Sequence, residues 1–146
     1  MIRVPKPVWD KIVKHVEEGY PNECCGILGG KTSNSESGYL VVGSTPAVNL
    51  NKERSRDRYL MDPKDIVRAQ KGYSHQGQDI LGYYHSHPDH PARPSETDRA
   101  NAWPGYSYVI LSVAKGKVVD YTSWVLNESD QQFKKGDLQI PTGVNT

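Results

Sequence analysis

Apolar residues recur first at intervals of three and four. In residues 7–20, "PVWDKIVKHVEEGY", Trp9, Ile12, Val13, Val16 and Tyr20 make one stripe, which predicts an amphipathic helix. Pro7 suits its first turn, and Gly19 and Pro21 mark its end. His15 falls off the stripe among charged residues and is expected on the solvated surface. The period then changes. Residues 23–31, "ECCGILGGK", form a short apolar run closed by glycines, the pattern of a buried strand. Residues 31–38 are a turn by composition, and 39–49, "YLVVGSTPAVN", a second strand broken at Gly43 or Pro46. Residues 51–58, "NKERSRDR", read as a polar loop with a solvated face, and 58–62 as a short strand.

Asp62 before Pro63 is a helix start, with the cap residue followed by proline at the first helical position; the helix should run to about residue 74. Residues 79–87, "DILGYYHSH", read as a strand that Pro88 ends. A short helix over 95–103 follows, then hairpin strands over 106–114 and 117–126, and an edge strand within 130–135. Helices and strands are interspersed, but the last strands are joined by short turns. That combination predicts an α/β (α+β) sandwich with a mixed, partly antiparallel sheet flanked by helices, in one domain over residues 1–140 with a frayed tail at 141–146.

Composition narrows the function classes. A chain of 146 residues suits one core, and 36% hydrophobic content is too high for disorder. A net charge of +1 argues against a nucleic-acid partner. No run approaches the roughly 18 apolar residues of a membrane span, and "MIRVPKPVW" has no signal-peptide core, so a cytoplasmic location is expected. Cys24 and Cys25 are adjacent, point to opposite faces of a strand, and suit neither a disulfide nor a four-cysteine zinc site.

The chemistry concentrates in residues 82–98, "GYYHSHPDHPARPSETD", which hold three of the five histidines. His85 and His87 lie two apart on a strand and therefore share a face, where two imidazoles can converge on one metal ion. Ser95 and Asp98 have the spacing of a capping box, and a helix start there aims Asp98 back toward the strand end. Two histidines and an aspartate make a three-ligand zinc site that leaves a fourth position open. Hydrolysis of an amide also needs a proton carrier. Glu23, a charged residue opening an apolar strand, is the candidate.

Together these residues resemble the JAMM (MPN+) metallopeptidase family. Its signature is an upstream glutamate, then His-x-His-Pro, six residues, and Ser-x-x-Asp. Here Glu23 is followed by His85, Ser86, His87, Pro88, residues 89–94, then Ser95 and Asp98. The resemblance extends to the order of elements over about residues 1–126. It implies the MPN/JAB-domain (cytidine-deaminase-like) fold, with one Zn2+ per chain held by His85, His87 and Asp98. It further implies that Glu23 is the general base and then acid acting on zinc-bound water, and that Ser95 is a hydrogen-bond donor to the tetrahedral intermediate. The short loops resemble the compact prokaryotic branch. The implied reaction is cleavage of a peptide or isopeptide bond after the C-terminal Gly-Gly of a ubiquitin-like or sulfur-carrier protein. His90 matches no position of the signature and is expected to be exposed. Three other readings stay open on the residues: a zinc hydrolase of a small-molecule amide, a non-catalytic scaffold of the same fold, and a thiol enzyme using Cys24 or Cys25.

Overall fold

The computed structural model describes residues 1–33 and 38–141. Residues 34–37 of the turn expected at 31–38 and residues 142–146 of the tail lie outside them. The elements run β1 (Ile2–Arg3), α1 (Lys6–Gly19), β2 (Cys25–Ser33), β3 (Gly38–Ala47), α2 (Pro63–His75), β4 (Asp79–Pro88), α3 (Glu96–Ala100), β5 (Ser107–Ala114), β6 (Lys117–Leu126), β7 (Phe133–Lys135) and β8 (Leu138–Gln139). The strands form one mixed sheet in the order β7-β6-β5-β4-β2-β3-β1-β8. β4 runs parallel to β5, and β1 runs parallel to both β3 and β8. The pairs β2–β3, β2–β4, β5–β6 and β6–β7 are antiparallel.

The two outermost strands show how the sheet is shaped. β7 and β8 stand at opposite ends of the order, yet only residues 136 and 137 separate them. A flat sheet of eight strands would put its edges roughly 34 Å apart, whereas that connection spans at most about 11 Å. The sheet is therefore strongly curled, and its C-terminal segment clasps the two edges together. α1 packs against the sheet through Trp9, Ile12 and Val16, with Leu28, Val41, Leu81, Val109 and Leu111 in the same core. The opposite face carries a second core of Cys25, Ile27, Met61, Ala69 and Ile80, with Ala69 supplied by α2. Cys24 belongs to the first core and Cys25 to the second, as strand alternation requires.

Four local expectations are corrected. Residues 58–62 are not a strand; only Met61 makes a bridge, to Asn49. The side chain of Asn49 takes up groups on the residues before that bridge, since its Oδ1 accepts from the Leu60 N–H at 3.0 Å and its Nδ2 donates to the Arg58 carbonyl at 3.1 Å. β3 is not broken at Gly43 or Pro46 but pairs through both. It accommodates the irregularity with a bulge, because Gly29 faces Gly43 while Gly30 faces Val41, which pushes out Val42. α3 stops at Ala100 rather than 103, ahead of Pro104. His15 is half-buried, not solvated, because its Nδ1 meets the hydroxyl of the buried Tyr84 at 2.6 Å. Among the described residues no helix is long and apolar enough to cross a membrane.

Candidate active site

β4 is the central strand that builds the site. Its residues are buried almost throughout, because β2 and β5 flank it and both faces are covered. At its C-terminal end His85 and His87 project to one face, and Pro88 closes the strand. α3 then brings back Asp98 in its first turn. The Ser95–Asp98 capping box is formed in full: the Asp98 N–H donates to Ser95 Oγ at 3.0 Å, and the Ser95 N–H donates to Asp98 Oδ2 at 2.9 Å. Capping leaves the hydroxyl proton of Ser95 free to donate elsewhere.

The three side chains converge tightly. His85 Nε2 and His87 Nε2 are 3.1 Å apart, and Asp98 Oδ2 lies 3.2 Å from the first and 3.1 Å from the second. A tetrahedral zinc ion with bonds of about 2.0–2.1 Å separates its ligand atoms by about 3.3 Å. The triangle therefore has the dimensions of one face of such an ion. The chemistry of the donors agrees. His87 Nδ1 lies 2.9 Å from the Pro91 carbonyl, which can only accept, so Nδ1 carries a proton and, in the neutral ring, the Nε2 lone pair faces the centre.

Electrostatics at the three groups differ by burial. Burial opposes ionisation of Asp98, but hydrogen bonding to His85, His87 and the Ser95 N–H outweighs it and holds the carboxyl far below its usual range. Burial lowers the pKa of His85, and Asp98 only partly offsets this, so the ring stays neutral as a ligand must. For His87 burial works in the same direction, but its bonds to Asp98 and Pro91 prevail and raise it. The ring of Tyr59 stacks on His85 at 4.7 Å, while Nδ1 of His85 is buried without a hydrogen-bond partner among the described residues.

Glu23 sits two residues before the start of β2 and is only 6% exposed. Burial pushes its carboxyl up to about 7, with His87 pulling the other way. Glu23, His85 and His87 offer ligand atoms that all lie within 4.8 Å of one another. Glu23 thus stands beside the His85–His87–Asp98 triangle, whose own edges are 3.1–3.2 Å. The loop over residues 51–58 keeps its expected exposed face at Lys52, Glu53, Arg54 and Arg56 and also packs against the site. The carbonyl of Ser55 accepts from the Glu23 N–H at 2.5 Å, and Asn49 Nδ2 donates to the Glu23 carbonyl at 3.2 Å. Ser86, between the two histidines, is fully buried and accepts from the Cys24 N–H. None of Asn49, Ser55, Tyr59 and Ser86 was expected from the sequence. Only Ser86 had a signal, its place inside His-x-His.

Two clefts meet at this centre. One, of about 310 Å3, is lined by Glu23, Ser95 and Asp98 together with Tyr59, Leu60 and Trp103. The other, of about 440 Å3, runs past Glu23, His87 and Ser95 to a basic wall. Cys24 and Cys25 are buried free thiols whose pKa values are raised by burial, Cys25 to about 12. Neither is a thiolate near neutral pH, so the thiol-enzyme reading falls.

The model of the prokaryotic homologs of the JAB domain matches residues 5–127. The chain belongs to this family. It is 38% identical over 108 residues to a desampylase of Haloferax volcanii, across 70% of this chain and 74% of that one. It is 29% identical to a probable TtuB-protein conjugate cleaving protease of Thermus thermophilus, across 76% and 70%. A JAB1/MPN domain protein from Archaeoglobus fulgidus shares the fold, with a TM-score of 0.57 and 13% identity over 97% of this chain and 98% of that one. The α+β architecture expected from the sequence is thus that of the JAB/MPN domain. The JAB chain is a hydrolase of the metallopeptidase type.

Proposed function

We propose that this chain is a zinc metallopeptidase that cleaves the peptide or isopeptide bond after the C-terminal Gly-Gly of a ubiquitin-like or sulfur-carrier protein. The observation that carries the reading is the triangle of His85 Nε2, His87 Nε2 and Asp98 Oδ2, with edges of 3.1–3.2 Å. The conjugate-cleaving names of two relatives support the substrate class.

His85, His87 and Asp98 would hold the ion. When bound, zinc supplies Lewis acidity and acidifies water. Glu23, with its carboxyl near 7, takes a proton from the attacking water and delivers it to the leaving nitrogen. Ser95, whose Oγ is oriented by the Asp98 N–H, donates its hydroxyl proton to the carbonyl oxygen as negative charge builds there. Pro91 holds the His87 ring in one tautomer, and the wall formed by Tyr59 shields His85 from water. A glycine tail presents backbone alone, and the cleft beside Tyr59 and Trp103 is the place for it.

The test is mass spectrometry of a panel of ubiquitin-fold proteins extended beyond Gly-Gly, incubated with zinc-loaded protein. Cleavage directly after Gly-Gly is expected, with loss on chelation and in Glu23→Gln. A protein that binds zinc and cleaves no member of the panel would point instead to a small-molecule amide.

A further inference from the structure

Glu23 lies outside the regular pairing of the sheet. β2 and β3 pair antiparallel from Cys25 opposite Ala47. Continued by two residues, the same register would set Glu23 opposite Asn49. The ladder stops short of that pair, and Asn49 makes its isolated bridge to Met61 instead. The main chain of Glu23 is therefore fixed by other means. Its N–H donates to the Ser55 carbonyl at 2.5 Å, and its carbonyl accepts from Asn49 Nδ2 at 3.2 Å.

The side chain of Asn49 does two separate things. A primary amide offers two donor hydrogens and can accept two bonds, and here all four are used. Nδ2 donates to the carbonyls of Glu23 and Arg58 at 3.2 and 3.1 Å. Oδ1 accepts from the N–H groups of Asn51 and Leu60 at 2.9 and 3.0 Å. Turning the amide over would set its nitrogen against two donors and its oxygen against two acceptors, so one orientation alone fits. The Oδ1 half closes the loop between residues 50 and 60, beside the Leu50 N–H, which donates to the Leu60 carbonyl at 2.8 Å. The Nδ2 half ties the closed loop to Glu23. The halves can be separated chemically, because an aspartate keeps both acceptor bonds and can make neither donor bond when ionised.

We propose that Asn49 is a positioning residue for the reaction: through Nδ2 it fixes the backbone of Glu23, and with it the reach of the Glu23 carboxylate to the attacking water and the leaving nitrogen. Asn49 itself lines neither cleft, so it acts through Glu23 and not on the substrate. Proton transfer needs hydrogen-bond contact, and a misplacement of about 1 Å costs on the order of 100-fold in rate. The inference rests on the peptidase reading above and adds a residue on which its acid–base step depends.

The test is steady-state kinetics and zinc content of Asn49→Asp and Asn51→Ala, with any panel protein that the wild type cleaves. Asn51→Ala is the control. It removes the bond from the Arg54 N–H to Asn51 Oδ1 at 3.0 Å, within the same loop, and leaves all four bonds of Asn49. In Asn49→Asp kcat should fall about 10- to 100-fold with KM within about twofold and zinc retained, whereas Asn51→Ala should keep its kcat. If the aspartate variant does not fold, Asn49→Ala, which sets no charge against the two carbonyls, is read in its place for kcat and zinc. A kcat within about threefold of wild type overturns the inference and leaves the peptidase reading standing. An equal fall in Asn51→Ala, or a rise in KM as large as the fall in kcat, assigns Asn49 to loop closure and overturns it as well. No cleavage of any panel member by the wild type overturns both.

Discussion

The backbone N–H of Cys24 donates to the hydroxyl of Ser86 at 2.8 Å, and the Ser86 N–H returns a bond to the Cys24 carbonyl at 3.0 Å. This reciprocal pair joins the residue after Glu23 to the residue between His85 and His87. It sets where the acid–base group stands relative to the histidines, although neither partner has a chemical role. Ser86→Ala leaves a buried N–H unpaired, at a cost of about 1–3 kcal/mol. A melting temperature lower by several degrees is expected, with kcat falling more than KM rises because Glu23 is displaced. Steady-state kinetics beside thermal denaturation would check this; a variant that melts and turns over like the wild type would refute it.

The metal should follow the triangle and not the histidine count. One zinc per chain is expected, lost in His85→Ala, His87→Ala and Asp98→Ala but retained in His90→Ala, whose side chain lines the outer cleft. Free zinc at a hundred times its dissociation constant should stabilise the fold by about 2.7 kcal/mol. Elemental analysis and melting curves with and without chelator read both effects. Zinc retained after loss of Asp98 would overturn the ligand set.

The parts of the site legible in the sequence are those that rest on local spacing. Strand alternation placed His85 and His87 together, and the capping-box spacing placed Asp98 and Ser95. Glu23 has no local signal beyond a charge at the start of an apolar run, so the family signature was needed to find it. Asn49, Ser55 and Ser86 were not legible because their partners lie about 26 to 62 residues away, where no period connects them. The same holds for the fold. The long elements follow from hydrophobic spacing, whereas β1 and β8, two residues each, exist only because the curled sheet brings its edges together. The segment 58–62 shows the limit from the other side: its pattern is that of a strand, but only Met61 forms a bridge, and the side chain of Asn49 bonds the residues before it.

Gly82 should be the least tolerant glycine near the site. It lies three residues before His85 on β4, opposite Ser107 of β5 in the parallel pair. A Cβ there would stand 2.0 Å from the Ser107 carbonyl oxygen, a backbone atom that cannot turn aside. Gly82→Ala should cost about 3 kcal/mol or more and weaken zinc binding by shifting the histidine strand. Gly72→Ala is the control. It lies in α2, where an added Cβ meets nothing within 4 Å, and should stabilise by up to about 1 kcal/mol. Urea denaturation of the two variants should move in opposite directions; equal midpoints would remove the steric argument.

Glu23→Gln should separate stability from catalysis. In the metal-free protein burial lifts the carboxyl from an ordinary 4.5 up to about 7, opposed in part by His87. A carboxyl whose folded pKa exceeds its unfolded one holds its proton more tightly when folded. Its contribution is therefore complete below pH 4.5 and is lost as the pH rises through 7, above which the fold must carry a buried anion. The difference amounts to roughly 3 kcal/mol. Glutamine keeps the shape and cannot ionise. Relative to wild type, the variant should melt roughly 10 °C higher above pH 7, with the gap closing toward pH 4.5. Its zinc-loaded form should lose at least about 100-fold in kcat, because no group remains to carry the proton. Melting curves of both chelated proteins from pH 4 to 9 supply the test. Parallel curves would show that Glu23 is solvated in the folded chain, and a variant with full activity would remove it from the mechanism.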